Sequence, residues 1–204
     1  MLTLGEAARR RLLYRARALL YLTAAWNVIE GLVAVGSGIV AGSIALVGFG
    51  LDSFIEVFAA SALLWRLRHE GEAAEGAERR ALTFIGITFL LLAAYVLAQA
   101  IFTFVGQEEP AESLVGIVLS LVSLAVMPGL GLAKRSYGLR LGSRALVAES
   151  LETLICSYLS LTLFIGLFLN AALGWWWADP AAALLMVPWL AREGFEGVRG
   201  EEES

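Results

Sequence analysis

Six long runs of apolar residues, separated by short polar or charged segments, dominate the pattern of this chain. Each run holds the roughly 20 apolar residues that an α-helix needs to cross about 30 Å of hydrocarbon. The predicted spans are residues 18–40, 43–65, 81–105, 113–133, 145–169 and 175–191. The pattern therefore predicts an all-α membrane protein, built as a bundle of six transmembrane helices.

The composition is that of an integral membrane protein. Apolar residues make up 59% of the 204 residues, against roughly 45–50% in soluble domains, and the mean hydropathy is +0.75. The single cysteine, Cys156, excludes a disulfide within one chain, and the single histidine excludes multi-histidine metal clusters. With neither a nucleophile–histidine pair nor an HExxH motif, we expect no enzyme. We also expect no resident cofactor and no nucleic-acid partner.

The positive charges predict the orientation of the bundle. All fifteen lysine and arginine residues, including Lys134 between spans four and five, fall on one side of the bilayer if the chain crosses six times. By the positive-inside rule both termini are then cytoplasmic. Residues 1–17 become a basic cytoplasmic segment, 18–191 the transmembrane domain and 192–204 a short acidic tail. No organelle signal is evident, so we expect a multi-pass protein of a bacterial inner membrane.

Acidic residues interrupt these spans, although an ionised carboxylate at mid-membrane costs about 3 kcal/mol or more. They are Glu30, Asp52, Glu56, Glu149 and Glu152, with Asp179 at the outer end of the sixth span. A single acid is explained by helix packing, whereas several near mid-depth favour a functional site. Asp179 follows a tryptophan cluster and precedes Pro180, so we interpret it as a residue of a helix N-terminus.

Counting along the helices brings four polar groups to nearly one depth. At 1.5 Å per residue, Asp52 and Glu56 lie about 21 and 15 Å from the inner end of span two. Glu152 and Cys156 lie about 12 and 18 Å into span five, with Glu149 one turn shallower. Each pair is four residues apart and shares a helix face. If spans two and five are in contact, these four groups form a candidate metal site.

The two polar pairs lie in matching segments of the chain. GSIALVGFGLDSFIE (42–56) aligns without a gap to GSRALVAESLETLIC (142–156), so that Asp52 matches Glu152 and Glu56 matches Cys156. The two copies have opposite orientations in the membrane. They resemble the inverted repeats of secondary transporters, whose binding sites lie at the repeat interface near the bilayer midplane.

Grouped carboxylates predict an exchange of cations for protons. Burial and mutual repulsion favour their protonated forms, whereas a bound metal requires deprotonated ligands and expels protons. Carboxylates favour hard ions such as Mn²⁺ or Mg²⁺, while a Cys156 thiolate moves the preference towards Zn²⁺, Cd²⁺, Co²⁺ or Fe²⁺. Cys156 is either a ligand or a small buried apolar side chain. Glu149 is a candidate accessory group or proton-relay group. Glu30 is a second such candidate, or else it forms a hydrogen bond to a neighbouring helix.

Three of the spans resemble signatures of the cation diffusion facilitator superfamily. GSIALVGFGLDSFIEV is similar to the second-span signature, in which a Gly-Ser start leads to Asp-x-x-x-Asp. SRALVAESLETLICSYLS is similar to the fifth span, and WWWADPAAALLM to the Trp-Leu-Asp-Pro start of the sixth. The resemblance covers roughly residues 20–197, with all six spans in order.

This resemblance implies a homodimer that exports Zn²⁺ or a related ion from the cytoplasm in exchange for protons. It implies a transport site of two groups from each of spans two and five, which here are Asp52, Glu56, Glu152 and Cys156. Typical zinc members have His and Asp in span five, so Glu152 and Cys156 leave the metal open. The family's cytoplasmic metal-sensing domain has no counterpart after the last span, as in the short, tail-less branch of cation transporters.

Two hypotheses from different classes remain. The first is a proton-coupled divalent metal cation transporter that exports Zn²⁺ or a related transition metal by alternating access. The second is a non-transporting metal-binding membrane protein that regulates or assembles with another transporter. Metal-dependent proton movement by the protein alone separates the two.

Overall fold

A computed structural model describes residues 6–66, 72–107 and 109–199 of the chain. Over these residues it contains six α-helices and no strand, so the predicted all-α six-helix bundle is confirmed. The helices are α1 Glu6–Ala41, α2 Ile44–Arg66, α3 Glu72–Gly106, α4 Leu114–Leu141, α5 Arg144–Leu173 and α6 Ala178–Arg199. Residues 1–5 and 200–204 of the two predicted terminal segments lie outside the described residues.

Five of these helices, α1 to α5, are long and apolar enough to cross a membrane. The sixth is shorter, at 22 residues, and carries Asp179, Arg192 and Glu193 within its length. Helix α6 packs mainly against α3, and also against α5 and α2. Its packing against these helices therefore makes α6 part of the bundle, whereas the other five are also identified as membrane helices by their length and apolar composition.

The matching segments form the same local structure one hundred positions apart. Gly42 ends α1 and Gly142 ends α4, both in the left-handed conformation, with φ of +67° and +64°. The serine that follows each glycine accepts a hydrogen bond at its Oγ from the backbone three residues on, which caps α2 and α5. Since a left-handed φ favours glycine, the Gly-Ser pair of each copy sets the turn of a tight helical hairpin.

Glycine also sets the spacing of the helices within each hairpin. A Cβ atom at Gly38 would lie 2.9 Å from the backbone nitrogen of Val47, and one at Gly138 would lie 3.1 Å from that of Val147. The backbones of α1 and α2, and likewise of α4 and α5, thus approach too closely for a larger residue. The hairpins pack together through α1 against α4 and α2 against α5, which brings the two polar pairs into one interior.

Candidate metal centre

Three side chains from α2 and α5 converge near the middle of the bundle. Asp52, Glu56 and Cys156 each offer one ligand atom, and these atoms all lie within 4.8 Å of one another. Asp52 and Cys156 are buried and Glu56 is half-buried. A tetrahedral Zn²⁺ holds such oxygen and sulfur ligands at roughly 2.0–2.3 Å, and hence roughly 3.3–3.8 Å apart. The observed spacing therefore suits a metal ion after a small contraction.

Helix α1 supports this group through Asn27. The Asn27 Nδ2 donates a hydrogen bond to Glu56 Oε2 at 2.5 Å. Asn27 is 2% exposed, and within the described part of the chain its Oδ1 has no hydrogen-bond partner. Sequence reasoning assigned no such role to Asn27, because a lone amide in an apolar span carries no ligand spacing. The contact fixes one acid of the centre against a helix other than its own.

Glu30 lies beside the centre and is fully buried. Its carboxylate accepts hydrogen bonds from Trp26 Nε1 at 3.3 Å and from the Ser53 hydroxyl of α2 at 3.0 Å. Of the two roles that the sequence left open for Glu30, the structure contains the hydrogen bond to a neighbouring helix, while the proton-relay role stays a prediction. Through Ser53, the residue after Asp52 on α2, this third acid lies beside the centre.

Glu152 stands apart from the three grouped ligand atoms. It is half-buried, and its charge acts on Glu56 and Asp52, yet its carboxylate is not within the 4.8 Å group. The counting that placed four groups at one level fixes depth along a helix but not the direction of a side chain around it. Sequence reasoning also missed Glu193 of α6, whose charge acts on Asp52 and Glu152.

A comparison with protein families finds one family description that matches nearly the whole bundle. The description "Cation efflux transmembrane domain" matches residues 20–199. The chain belongs to the cation efflux family. This confirms the resemblance seen in spans two, five and six, and it makes the protein a multi-pass integral membrane transporter of metal cations rather than a classical enzyme. No curated protein matches the chain at a significant level.

In this cation efflux protein, Glu149 forms a buried ion pair. The Lys134 Nζ lies 2.7 Å from Glu149 Oε1 and donates a second hydrogen bond to Thr153 Oγ1 at 2.9 Å. The sequence pattern placed Lys134 just beyond the end of span four, whereas in the structure its side chain is 0% exposed and lies within the bundle. Helix α4 continues to Leu141, so Lys134 lies about 10 Å inside the helix end.

Asp179 of the transporter stabilises the start of α2. Its Oδ2 accepts a hydrogen bond from the Ile44 backbone nitrogen at 3.0 Å, and its Oδ1 accepts one from the Ser43 hydroxyl. The sequence predicted that Asp179 lies at a helix N-terminus. Asp179 does lie in the first turn of α6, but the helix that its side chain caps is α2. The Ile44 nitrogen that it binds lies eight residues, or about 12 Å along α2, from Asp52, and at that position Asp179 has a structural role.

Proposed function

We propose that this family member is a proton-coupled divalent metal cation transporter that exports Zn²⁺ or a related transition metal from the cytoplasm. One observation carries the proposal: the ligand atoms of Asp52, Glu56 and Cys156 lie within 4.8 Å of one another inside the bundle. Two acids and a thiol are grouped here inside a membrane-spanning bundle, and ionisable groups within membrane spans mark ion pathways. Glu152 is proposed as the remaining acid of this centre.

The proposed cargo follows from the chemistry of the three donors. A thiolate with carboxylates suits Zn²⁺, Cd²⁺ and Co²⁺ better than Mg²⁺ or Mn²⁺, because sulfur is a softer ligand than oxygen. Each carboxylate oxygen of the neighbouring acid Glu30 already accepts a hydrogen bond, one from Trp26 and one from Ser53, so we do not count it among the donors. We therefore place Zn²⁺ first, with Cd²⁺, Co²⁺ and Fe²⁺ after it and Mn²⁺ last.

Proton coupling and alternating access follow from burial and from the repeat. The ligands must lose protons to bind the metal and regain them, or equivalent positive charge, when it leaves. The two hairpins, α1–α2 and α4–α5, share their turn geometry and supply opposite sides of the centre. Rocking of two matched halves around a central site is the general route of alternating access in transporters with inverted repeats.

We further propose a homodimer in a bacterial inner membrane, with both termini cytoplasmic.

The deciding experiment follows internal pH in liposomes that contain only the purified protein. Zn²⁺, Cd²⁺, Co²⁺, Mn²⁺ or Mg²⁺ is added outside, and the wild type is compared with Asp52→Asn. The matched control is Glu109→Gln, which also neutralises one acid but at an exposed position between α3 and α4. We expect proton flux with Zn²⁺ and Cd²⁺ in the wild type and in Glu109→Gln, and none in Asp52→Asn.

Flux that is equal in Asp52→Asn and wild type would overturn the assignment of the centre. Metal binding without flux for any of the five ions, in protein that is monodisperse and folded, would overturn autonomous transport. The second hypothesis, a metal-binding protein that assembles with another transporter, would then take its place.

A further inference from the structure

The side chain that pairs with Glu149 is unusual in this sequence. Lys134 is the only lysine among the fifteen lysine and arginine residues, the other fourteen being arginines. Its side chain is 0% exposed. An arginine would bring a wide planar group with five donors, whereas an ammonium is a compact point charge with three. Among the described residues, Lys134 is the one basic residue that is fully buried. Its ammonium resembles a metal ion more than a guanidinium does, because its charge is compact.

The Lys134 ammonium sits among oxygen atoms. Glu149 Oε1 lies 2.7 Å away and Thr153 Oγ1 2.9 Å away, both on the α5 face that leads to Cys156. Glu149 is 8% exposed. Its second oxygen, Oε2, is buried and has no hydrogen-bond partner in the described part of the chain. A carboxylate with one free oxygen beside a hydroxyl is a donor set of the kind that divalent cations bind.

This ion pair lies between the candidate centre and the turn of the α4–α5 hairpin. Glu149 and Thr153 precede Cys156 on α5, and Glu149 is one turn or more closer to the Gly142 turn. The charge of Lys134 acts on both Glu56 and Glu152. With the orientation proposed above, the ammonium stands on the cytoplasmic approach to the centre.

The repeat shows that packing does not require these charges. One hundred positions earlier, Lys134 corresponds to Ala34 and Glu149 to Phe49, and both of these are fully buried and apolar. The first hairpin thus has two buried apolar residues at the positions where the second has an ion pair. A buried ion pair is often no more stable than apolar residues of similar volume, so that the stability of the hairpin does not account for it.

We propose that Glu149 and Thr153 form a second cation subsite, on the cytoplasmic side of the candidate centre, which the Lys134 ammonium fills here and from which an entering divalent cation displaces it. The proposal rests on the proposed function for the identity of its cation. It gives Lys134 the role of a tethered cation that keeps the approach charge-balanced when no metal passes. Displacement would leave the ammonium free to neutralise Glu152 or Glu56 during the passage.

The single lysine makes a direct test simple. Protein labelled with ¹³C at lysine Cε gives one lysine side-chain signal, from Lys134, which is followed in the full chain in detergent micelles as Cd²⁺ is added. We expect the signal to shift in the wild type and also in Asp52→Asn/Glu56→Gln, because the subsite does not depend on the centre. In Glu149→Gln it should start at a different position and no longer respond. A signal that never moves, or moves only when the centre is intact, would overturn the proposal.

Metal binding provides the second test. In the Asp52→Asn/Glu56→Gln background, adding Lys134→Met should raise Cd²⁺ affinity by about tenfold or more, since the ammonium that occupies the same oxygen atoms and repels a second cation is gone. The matched control Lys134→Met/Glu149→Gln, in the same background, should lose that gain; equal affinity in both would overturn the proposal. Should Lys134→Met not yield monodisperse protein, the labelled full chain with Lys134 intact decides the matter. Cd²⁺ binding by the wild type compared with Asp52→Asn/Glu56→Gln reports on the candidate centre alone, so that its failure is separate from failure of the subsite.

Discussion

Asn27 of α1 lies 2.5 Å from Glu56 of α2, measured from Nδ2 to Oε2, at the edge of the candidate metal centre. The two residues are 29 positions apart and meet because the Gly42 turn folds α1 back along α2. The hydrogen bond orients one carboxylate oxygen of Glu56, whose ligand atom lies within 4.8 Å of the Cys156 sulfur. Helices α2 and α5 supply the candidate ligands, and helix α1 positions one of them, Glu56.

Asn27→Leu is expected to weaken metal binding by about tenfold or more, because loss of a partner that orients a ligand typically costs that much. The measurement is Cd²⁺ titration of the full chain by calorimetry. The matched control is Asn170→Leu, which removes another buried amide, one that donates to the Pro110 carbonyl at 2.9 Å. Equal loss of affinity in both variants would show that the effect comes from general loosening of the bundle.

Cys156→Ser is expected to change which metal is preferred. The hydroxyl keeps the size of the thiol but offers a harder donor, so Cd²⁺ and Zn²⁺ affinity should fall relative to Mn²⁺. In wild-type protein loaded with Co²⁺ we expect thiolate-to-metal charge-transfer absorption, which is lost in the variant. If the wild type shows no such absorption and selectivity does not change, Cys156 is only a small buried side chain.

Ser43→Ala is expected to cost more stability than Ser143→Ala, although the two serines occupy the same position in the two hairpins. Each hydroxyl caps its helix, which is typically worth about 1 kcal/mol. Ser43 also donates to the buried carboxylate of Asp179, and a hydrogen bond to a charged group contributes about 1.5–3 kcal/mol. Thermal unfolding in detergent compares the two. Equal midpoints would mean that Asp179 does not stabilise α2 through Ser43.

Gly38→Ala is expected to lower the midpoint of thermal unfolding, whereas Gly36→Ala, on the same helix, should leave it unchanged or raise it. A Cβ atom at Gly38 would lie 2.8 Å from Val47 Cγ2 and 2.9 Å from the Val47 backbone nitrogen, while one at Gly36 meets nothing within 4 Å. Overpacking costs about 1–3 kcal/mol, and alanine in an open helix position gains about 1 kcal/mol over glycine. A fall in both midpoints would show that α1 does not pack on α2 as described.

The sequence alone determined the elements and their order. Six apolar runs predicted six helices, because the free energy of moving each residue from water to lipid acts locally and leaves a visible pattern. The repeat of residues 42–56 in 142–156 predicted two matching segments, and the structure gives both the same glycine turn and serine cap. Asp52, Glu56 and Cys156 were candidates from their spacing of four on two helices that proved to be in contact.

Only the tertiary structure decided which polar groups meet. Depth along a helix is countable from the sequence, but the direction of a side chain depends on how helices rotate and cross, which is fixed by contacts between distant residues. Glu152 thus stands outside the ligand group, and Glu149 is paired with Lys134, which the sequence pattern had placed just beyond the end of span four. Asp179 caps a helix that begins 135 positions earlier. The places of Glu149 and Asp179 depend on burial of an acid against a partner that is distant in the sequence, and no local pattern records that partner.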